Sequence, residues 1–358
     1  MNARSLFILV VAALVVGLLA VLFSSMEDEG AAGGGLLLPE LAARLNDVDR
    51  LVVTGPGNEA VATLQRQQGA WRVVENDYAA DVGRLRKNLI ALSEARIIEV
   101  KTANPDFYDR LGVVDISEDA ATGVELALAV GDEQLARVLI GDTGLGAGNG
   151  AYVRVNGDAQ SYLVEADLDP GPARSDWLDG ELIDIPSSDV RRVTITQVDG
   201  EILELETSSR DATEFEVLNI PEGRELSFPG VANSIGAVLA TLQLEDVQPA
   251  EEFTPPAPPI LARFETFEGL AVEAQVFRVD DGWRVTLTAS AGEQPAASEP
   301  EESAETEDTD DGEASKTAAE QATEINARVA GWLYTLPGFK TDQLIKRLED
   351  LLAAPSEE

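Results

Sequence analysis

A strand, turn and helix pattern that occurs twice constrains the fold of this chain more than any other feature. In the first copy, a turn at Gly69 leads into the apolar strand pattern 71–74, and an amphipathic helical pattern follows over 81–92. In the second copy, the strand pattern 215–218 leads through two prolines into apolar residues at helical spacing over 231–242. Because order and spacing agree, we predict an α+β chain with two similar domains, each an antiparallel β-meander packed with an amphipathic helix. The predicted inner faces are Val82, Leu85, Leu89 and Leu92 in the first helix and Val231, Ile235, Val238, Leu239 and Leu242 in the second.

The length of 358 residues fits two domains. We predict the first domain over residues 38–185 and the second over 186–358. In the first, Asn104 and Pro105 open a turn whose aromatic residues we expect in the core. Short apolar runs separated by Gly, Asn and Asp turns then predict the meander. These runs are 124–130, 135–140, 151–155 and 161–164.

The second domain is predicted to contain a disordered acidic insertion over residues 291–317. Its central part, 293–313, carries ten acidic residues and no basic one, interspersed with Ala, Ser, Thr and Pro. Such a composition cannot bury enough apolar surface to fold. Helical spacing returns over 318–334 and again over 341–352, which predicts a C-terminal helical pair packed on the second sheet.

The N-terminal part of the chain contains an uninterrupted apolar run over 6–23. As a helix this run would rise roughly 27 Å, which nearly matches a hydrocarbon core of about 30 Å. Arg4 precedes the run and the acidic triplet 27–29 follows it, so the positive-inside bias predicts a cytoplasmic N-terminus. We therefore predict a transmembrane signal anchor over 1–24 and a flexible tether over 25–37, with the bulk of the chain outside the cytoplasm. A cleaved signal peptide is the alternative.

The composition excludes several classes of function. The formal net charge of -39 would be repelled by nucleic-acid backbones and by anionic lipid surfaces, so we predict no nucleic-acid partner. Histidine and cysteine are absent from the sequence, which excludes Ser-His-Asp and Cys-His catalysis, disulfides and ordinary zinc sites. No motif indicates a cofactor, and we predict none.

Two polar segments are candidate ligand sites. The glycine-rich run 141–150 lies between two strand patterns and lacks both a following helix and the Gly-Lys-Ser/Thr of a phosphate loop, which favours a hairpin turn. The acidic residues of 308–313 could attract calcium, but Gly312 stands at the fifth position from Asp308, where the calcium-binding loop needs glycine at the sixth. We predict nonspecific cation attraction there and no dedicated metal site.

Four residues near the C-terminus form the densest aromatic cluster after the insertion. One interpretation is the packing of a helix end against the second core. The other is a docking ridge for a partner protein, because aromatic side chains dominate interface hot spots. The four predicted docking residues are Trp332, Tyr334, Pro337 and Phe339, and we predict no catalytic residue.

Three motifs and the N-terminal anchor carry a resemblance to a known family. The motifs are Gly-Ala-Trp-Arg-Val at 69–73 ahead of Asp81, Ile140-Gly141 ahead of Ala-Tyr-Val-Arg at 151–154, and Gly331-Trp332-Leu333-Tyr334 with Pro337 and Lys340. On these residues the chain resembles the bacterial family known as domain of unknown function 4340. The resemblance implies an inner-membrane protein with its bulk in the periplasm, often encoded beside an export-type ABC permease and a gliding-motility-type auxiliary protein. Because the motifs concern packing and turns, it implies no catalytic residue.

The anchor, the doubled module and the missing reaction centre lead to one main hypothesis. It is a membrane-anchored extracytoplasmic accessory or scaffold protein of an ABC-type transport system, non-enzymatic, with the inner-membrane permease and its auxiliary protein as partners. The alternative is a carboxylate-dependent cell-envelope hydrolase or polymer-binding protein, and a free-standing cation or ligand binder is a third hypothesis. A pocket with two close carboxylates of raised pKa would favour the hydrolase, whereas a filled core and apolar surface patches would favour the scaffold.

Overall fold

The structure, a computed structural model, is mostly antiparallel sheet with few helices, as expected of an α+β chain. The chain divides into two compact units between Asp179 and Gly180. The predicted domain bounds, which place the boundary near Pro186, stay a prediction. The described residues are 34–146, 149–280, 282–292 and 316–354.

Three predictions fall wholly or largely outside the described residues. They are the anchor over 1–24, most of the tether, and residues 293–315 of the acidic insertion. The insertion was predicted too wide at its two ends, because a strand continues to Ala291 and the side chain of Thr317 caps a helix. In the part of the chain that the structure describes, no helix has the length and apolar character needed to cross a membrane.

The first unit consists of two helices, nine strands and several 3₁₀ turns within its described residues. The helices are α1 (Leu41–Arg44) and α2 (Val82–Glu94). The strands are β1 (Arg50–Gly55), β2 (Glu59–Gln67), β3 (Ala70–Val73), β4 (Tyr78–Ala79), β5 (Arg96–Val100), β6 (Val124–Val130), β7 (Glu133–Ile140), β8 (Gly150–Val155) and β9 (Ser161–Glu165). The 3₁₀ turns include Leu45–Asp47, Pro56–Asn58, Pro105–Phe107, Asp109–Leu111 and Arg174–Trp177.

The strands of the first unit form one sheet in the order β4-β3-β2-β1-β6-β7-β8-β9-β5. Apolar and polar residues alternate along its central strands, so one face of the sheet is apolar. On that face, Leu51 and Val53 of β1 lie opposite Leu128 and Leu126 of β6, and all four are fully buried. The predicted meander from β6 to β9 is confirmed, with antiparallel pairing at each step. The glycine-rich run joins β7 to β8 as a hairpin connection, as predicted.

Helix α2 begins where the sequence predicts. The side chain of Asp81 accepts a hydrogen bond of 2.9 Å from the Arg84 N–H and so caps the first turn. Leu85 and Leu92 are buried as predicted. Val82, which was predicted to face inward, is exposed, and the polar residue Asn88 is buried. The predicted inner face was therefore wrong at its first position, because Val82 lies in the first turn, ahead of the face that packs inward.

A segment over 103–122 covers the outer face of the first sheet near β7 and β8. Tyr108, Val113 and Ile116 from this segment form a small apolar cluster with Leu139 of β7. The prediction that the aromatic residues of this segment lie in the core holds for Tyr108 and is wrong for Phe107, which is 42% exposed. The sheet is thus covered locally on a second face, which leaves Arg154 of β8 buried and Glu125 of β6 and Arg137 of β7 half-buried.

The second unit has three helices and ten strands within its described residues. The helices are α3 (Asn233–Gly236), α4 (Ala318–Val329) and α5 (Gly338–Leu344). The strands are β10 (Glu181–Ile183), β11 (Val190–Thr196), β12 (Ile202–Glu206), β13 (Glu216–Val217), β14 (Leu242–Gln243), β15 (Asp246–Pro249), β16 (Ile260–Thr266), β17 (Leu270–Val279), β18 (Gly282–Ala291) and β19 (Trp332–Thr335). The 3₁₀ turns include Ser187–Asp189, Ala250–Glu252 and Leu348–Leu351.

Eight strands of the second unit form a sheet in the order β13-β12-β11-β16-β17-β18-β19-β15, and β10 pairs separately with β14. The order is the same as β3-β2-β1-β6-β7-β8-β9-β5 in the first unit, where β4 is one additional edge strand. In both sheets, the strand that follows the helix in the chain returns to the far edge and pairs with the last strand.

Two helix predictions in the second unit were wrong. The pattern 231–242 gives only the four-residue helix α3, although Ile235, Val238 and Leu239 are buried as predicted. Gly236 ends α3 against the Phe215 ring, where an added Cβ would lie 2.2 Å from a ring carbon. The predicted helical pair is interrupted by a strand, since α4 ends at Val329, Gly331 turns the chain with a φ of 85°, and β19 follows.

Candidate functional site

The structure separates the four predicted docking residues by exposure. Trp332 and Tyr334 lie on β19, Pro337 precedes α5, and Phe339 lies in the first turn of α5. Tyr334 is fully buried, so the prediction that it lies on a docking ridge was wrong. Trp332 and Pro337 are half-buried, whereas Phe339 is 67% exposed. Of the predicted set, Phe339 is the residue that a partner could cover.

Strand pairing explains why Tyr334 is buried. It lies opposite Val247 of β15 on one side and Val285 of β18 on the other, so its ring occupies an interior position of the sheet. Both valines are themselves buried. The aromatic cluster in the sequence is therefore divided between the core and the surface.

Lys340 fastens the first turn of α5 to the chain that follows α3. Its Nζ donates hydrogen bonds to the backbone carbonyls of Ala237, Val238 and Ala240, at 3.3, 2.8 and 2.7 Å. Carbonyls at the end of a short helix lack partners within the helix, and a lysine can satisfy them. Burial lowers the pKa of the Lys340 ammonium, because desolvation disfavours its charged form.

Two further contacts hold the same helix. The Thr341 hydroxyl is buried and donates to the carbonyl of Leu336 or Pro337, both at 3.4 Å. Ser234 of α3 donates to the side-chain oxygen of Gln343 at 2.9 Å. Together with Lys340, these contacts fix the backbone that carries the exposed Phe339 ring.

A second exposed aromatic residue of the second unit was missed by sequence reasoning. Phe228 is 59% exposed and lies in the loop that leads to α3. Among the large hydrophobic residues that the structure describes, Phe339 and Phe228 are the two most exposed. The signal that could have found Phe228 is its position next to Pro229 and Gly230, outside every apolar period.

The second unit has a groove of about 800 Å³ beside α4. Its basic side chains already have acidic partners, since Lys316 lies 2.7 Å from Glu324 and Arg328 lies 3.9 Å from Glu181. Over the described ranges, no group of three or more acidic residues is arranged to hold a metal ion. The acidic residues of 308–313, predicted to attract cations, lie outside those ranges.

Comparison with known proteins gives one result for this chain. No curated protein and no solved structure matched it. A family model described as Domain of unknown function (DUF4340) matches residues 71–256, which is more than half of the chain. The match includes the Trp71 strand motif and the Ala151–Arg154 motif, so the resemblance expected from the sequence is confirmed. The chain therefore belongs to the DUF4340 family.

Proposed function

We propose that this protein is a membrane-anchored accessory or scaffold subunit of an ABC-type transport system, which acts outside the cytoplasm by presenting binding surfaces and is not an enzyme. The apolar run at 6–23 would be its anchor. Its partners would be the inner-membrane permease and the auxiliary protein that the family resemblance implies. The observation that carries the proposal is the exposed Phe339 ring on a helix that Lys340 fastens to the second unit.

The physical argument rests on apolar exposure and rigidity. A phenylalanine ring that is 67% exposed leaves water only when another surface covers it. Because Lys340 and Thr341 already tie α5, docking on Phe339 costs little ordering entropy. Exposed aromatic residues on a rigid base are typical of interface hot spots.

We infer further that the two units are copies of one module, since eight strands follow the same order in both sheets. At the corresponding place between strands, the first copy has α2 with 13 residues and the second has α3 with four. In the second copy, Lys340 of α5 contacts the chain directly after α3. The segment that carries Phe339 thus contacts a part of the second copy that differs from the first.

The hydrolase alternative needs two close carboxylates of raised pKa. Asp115 and Glu125 do line one cavity in the first unit. Burial raises the pKa of Glu125, but hydrogen bonds from Ser117 lower the pKa of Asp115. Arg137 and Arg154 line the same cavity, which favours ligand binding over acid and base catalysis. We therefore propose the scaffold function alone.

In-cell photocrosslinking tests the proposal. The full-length tagged protein would carry a photoreactive phenylalanine analogue in place of Phe339, and adducts would be extracted in detergent and identified by mass spectrometry. We expect an adduct with an ABC permease or its auxiliary protein, because the exposed ring would lie inside the interface.

The matched control carries the same analogue in place of Phe107, which is 42% exposed on the first unit. We expect no permease adduct from this position. If position 339 gives no adduct, or an adduct with an unrelated protein only, under conditions that preserve a known transporter complex, the scaffold proposal is wrong.

A further inference from the structure

Arg154 is a buried cation in the first unit that lies near the carboxylates of Asp115 and Glu125 but forms no direct ion pair with either. It lies on β8 and is only 9% exposed. Its Nε donates to the Asp158 carbonyl and its Nη1 to the Val113 carbonyl, both at 3.0 Å. The guanidinium carbon lies 4.3 Å from the centroid of the Tyr108 ring. Within the described residues, Arg154 forms no ion pair with a carboxylate, and its third nitrogen, Nη2, makes no hydrogen bond.

A buried charge normally has a counter-charge nearby. Transfer of an unpaired ion out of water is costly, and proteins usually offset that cost with an ion pair and with hydrogen bonds to every donor. The two carbonyls and the Tyr108 ring satisfy Arg154 only in part. Nη2 is accessible and not sealed in the core, so it can donate to an anionic group that enters the cavity.

Arg154 lines a cavity of about 190 Å³. Strand register explains how the cavity forms, because Thr54, Glu125, Leu139 and Arg154 lie opposite one another in a row across β1, β6, β7 and β8. The segment over 103–122 borders the cavity and contributes Asp115 and Ile116. The complete lining is Thr54, Asn58, Asp115, Ile116, Glu125, Arg137, Leu139, Arg154 and Gly157.

The charges in the cavity have both signs. Arg137 Nε lies 3.5 Å from a Glu125 carboxylate oxygen, so these two side chains form an ion pair beside Arg154. The Arg137 Nε is buried and makes no hydrogen bond of good geometry. The cavity therefore offers two guanidinium groups with unused donors, from Arg137 and Arg154, and two carboxylates, from Asp115 and Glu125.

Each group selects a complementary chemical group. A guanidinium binds a carboxylate through parallel N–H donors, and a carboxylate accepts hydrogen bonds from an ammonium. A volume of about 190 Å³ corresponds to about six water molecules, so it suits a ligand of few heavy atoms. A molecule that carries one carboxylate and one ammonium matches both the size and the charges.

We propose that this cavity binds a small zwitterion of the free α-amino acid class, with its carboxylate on Arg154 and Arg137 and its ammonium on Glu125 and Asp115. The site lies within the first unit and uses none of the residues that present Phe339. An experiment can therefore refute either the ligand proposal or the docking proposal without refuting the other.

Calorimetric titration of the purified full-length protein in detergent tests the proposal. The probes are glycine and L-alanine as zwitterions, acetate as the carboxylate alone, methylammonium as the amine alone, and inorganic phosphate. We expect glycine and L-alanine to bind, acetate to bind more weakly, and methylammonium and phosphate not to bind. Arg154→Lys should weaken glycine binding by about 10- to 100-fold, since hydrogen bonds to charged groups contribute about 1.5–3 kcal/mol.

Glu125→Gln provides a second variant that does not depend on Arg154 for folding. We expect it to weaken glycine binding and not to weaken acetate binding, because it removes the acceptor of the ammonium and frees its ion-pair partner Arg137 for the carboxylate. Arg284→Lys, on β18 of the second unit, is the matched control and should bind every probe as the unsubstituted protein does. The proposal is overturned if glycine produces no heat at any concentration, if acetate or phosphate binds as tightly as glycine, or if both cavity variants bind glycine normally.

Discussion

The side chain of Asn88 and the backbone of Asp169 exchange two hydrogen bonds. Asn88 Nδ2 donates to the Asp169 carbonyl at 2.7 Å, and the Asp169 N–H donates to Asn88 Oδ1 at 3.0 Å. Asn88 is 1% exposed, so this pair satisfies polar groups that water cannot reach. Arg84, one helical turn earlier, adds an ion pair of 2.5 Å to the Asp169 carboxylate. Helix α2 is thus attached to the chain after β9 by polar contacts as well as by its leucines.

Removal of the Asn88 amide should destabilise the first unit. Asn88→Ala removes the partner of the Asp169 N–H and leaves the Asp169 carbonyl with only the longer contact of 3.4 Å from Arg84, for which we expect a loss of about 1–3 kcal/mol in the free energy of unfolding. Denaturant unfolding followed by tryptophan fluorescence measures the loss. The exposed neighbour Arg86 provides the control, since Arg86→Ala should change stability by less than about 0.5 kcal/mol. Equal effects of the two substitutions would show that the Asn88 contacts carry no stability.

Periodicity predicts the first unit better than the second, and the reason lies in side-chain contacts that a sequence does not display. Asp81 and the spacing of Leu85 and Leu92 locate helix α2 correctly. The spacing of Ile235, Val238 and Leu239 is equally helical and their burial is real, yet the helix stops at Gly236. The Phe215 ring packs so closely on Gly236 that no side chain fits there, and that contact depends on tertiary structure.

Gly141 holds the 103–122 segment close to the sheet. A Cβ added at Gly141 would lie 2.1 Å from the Leu111 carbonyl oxygen and 2.7 Å from the Gly112 carbonyl carbon. These are backbone atoms and cannot rotate away, and Gly141 has no positive φ, so the requirement for glycine is steric. We expect Gly141→Ala to destabilise the first unit by about 1–3 kcal/mol, or more if the segment detaches from the sheet.

The thermal unfolding midpoint of Gly141→Ala measures this effect, and Gly338→Ala is its control. An added Cβ at Gly338 meets nothing within 4 Å, and the residue lies at the first position of α5. We expect Gly338→Ala to leave stability unchanged or raise it by up to about 1 kcal/mol. A Gly141→Ala protein as stable as the Gly338→Ala protein would contradict the steric argument.

Lys340 should contribute to stability through its three carbonyl contacts. Lys340→Met keeps most of the aliphatic side chain but removes the donor, and we expect a loss of about 1–3 kcal/mol in the free energy of unfolding. Lys346→Met removes the same charge from the same C-terminal segment, and the Lys346 side chain makes no ion pair within the described residues. Chemical denaturation of both variants separates the effect of the contacts from the effect of charge. A loss of the same size in both would assign the effect to charge.

The sequence contains the docking residues and the cavity residues but not their arrangement. Tyr334 and Phe339 belong to one aromatic cluster, and only the pairing of β19 with β15 and β18 shows that the first is buried. Glu125, Leu139 and Arg154 alternate correctly within their own strands, so their common face can be predicted. Their alignment in one row depends on the order and register of the strands, which no local pattern specifies.

Glu125 should give the first unit a stability contribution that decreases as pH rises. Burial raises the pKa of Glu125 above its ordinary value, although Arg137 opposes the shift. The folded state therefore holds a proton that the unfolded state has already released. Linkage then requires stability to fall as pH increases from the ordinary pKa of about 4.5 through the raised folded value.

The difference in unfolding free energy between the unsubstituted protein and Glu125→Gln isolates this contribution. We expect it to favour the unsubstituted protein most below about pH 4.5 and to decline as pH increases. Glu133→Gln is the control with the opposite sign, because the hydrogen bond from Arg44 lowers the pKa of Glu133. The stability that Glu133 contributes is present above the unfolded pKa and is lost as pH falls through the folded pKa. If both differences change in the same direction with pH, the Glu125 carboxyl does not have the desolvated environment that the cavity gives it.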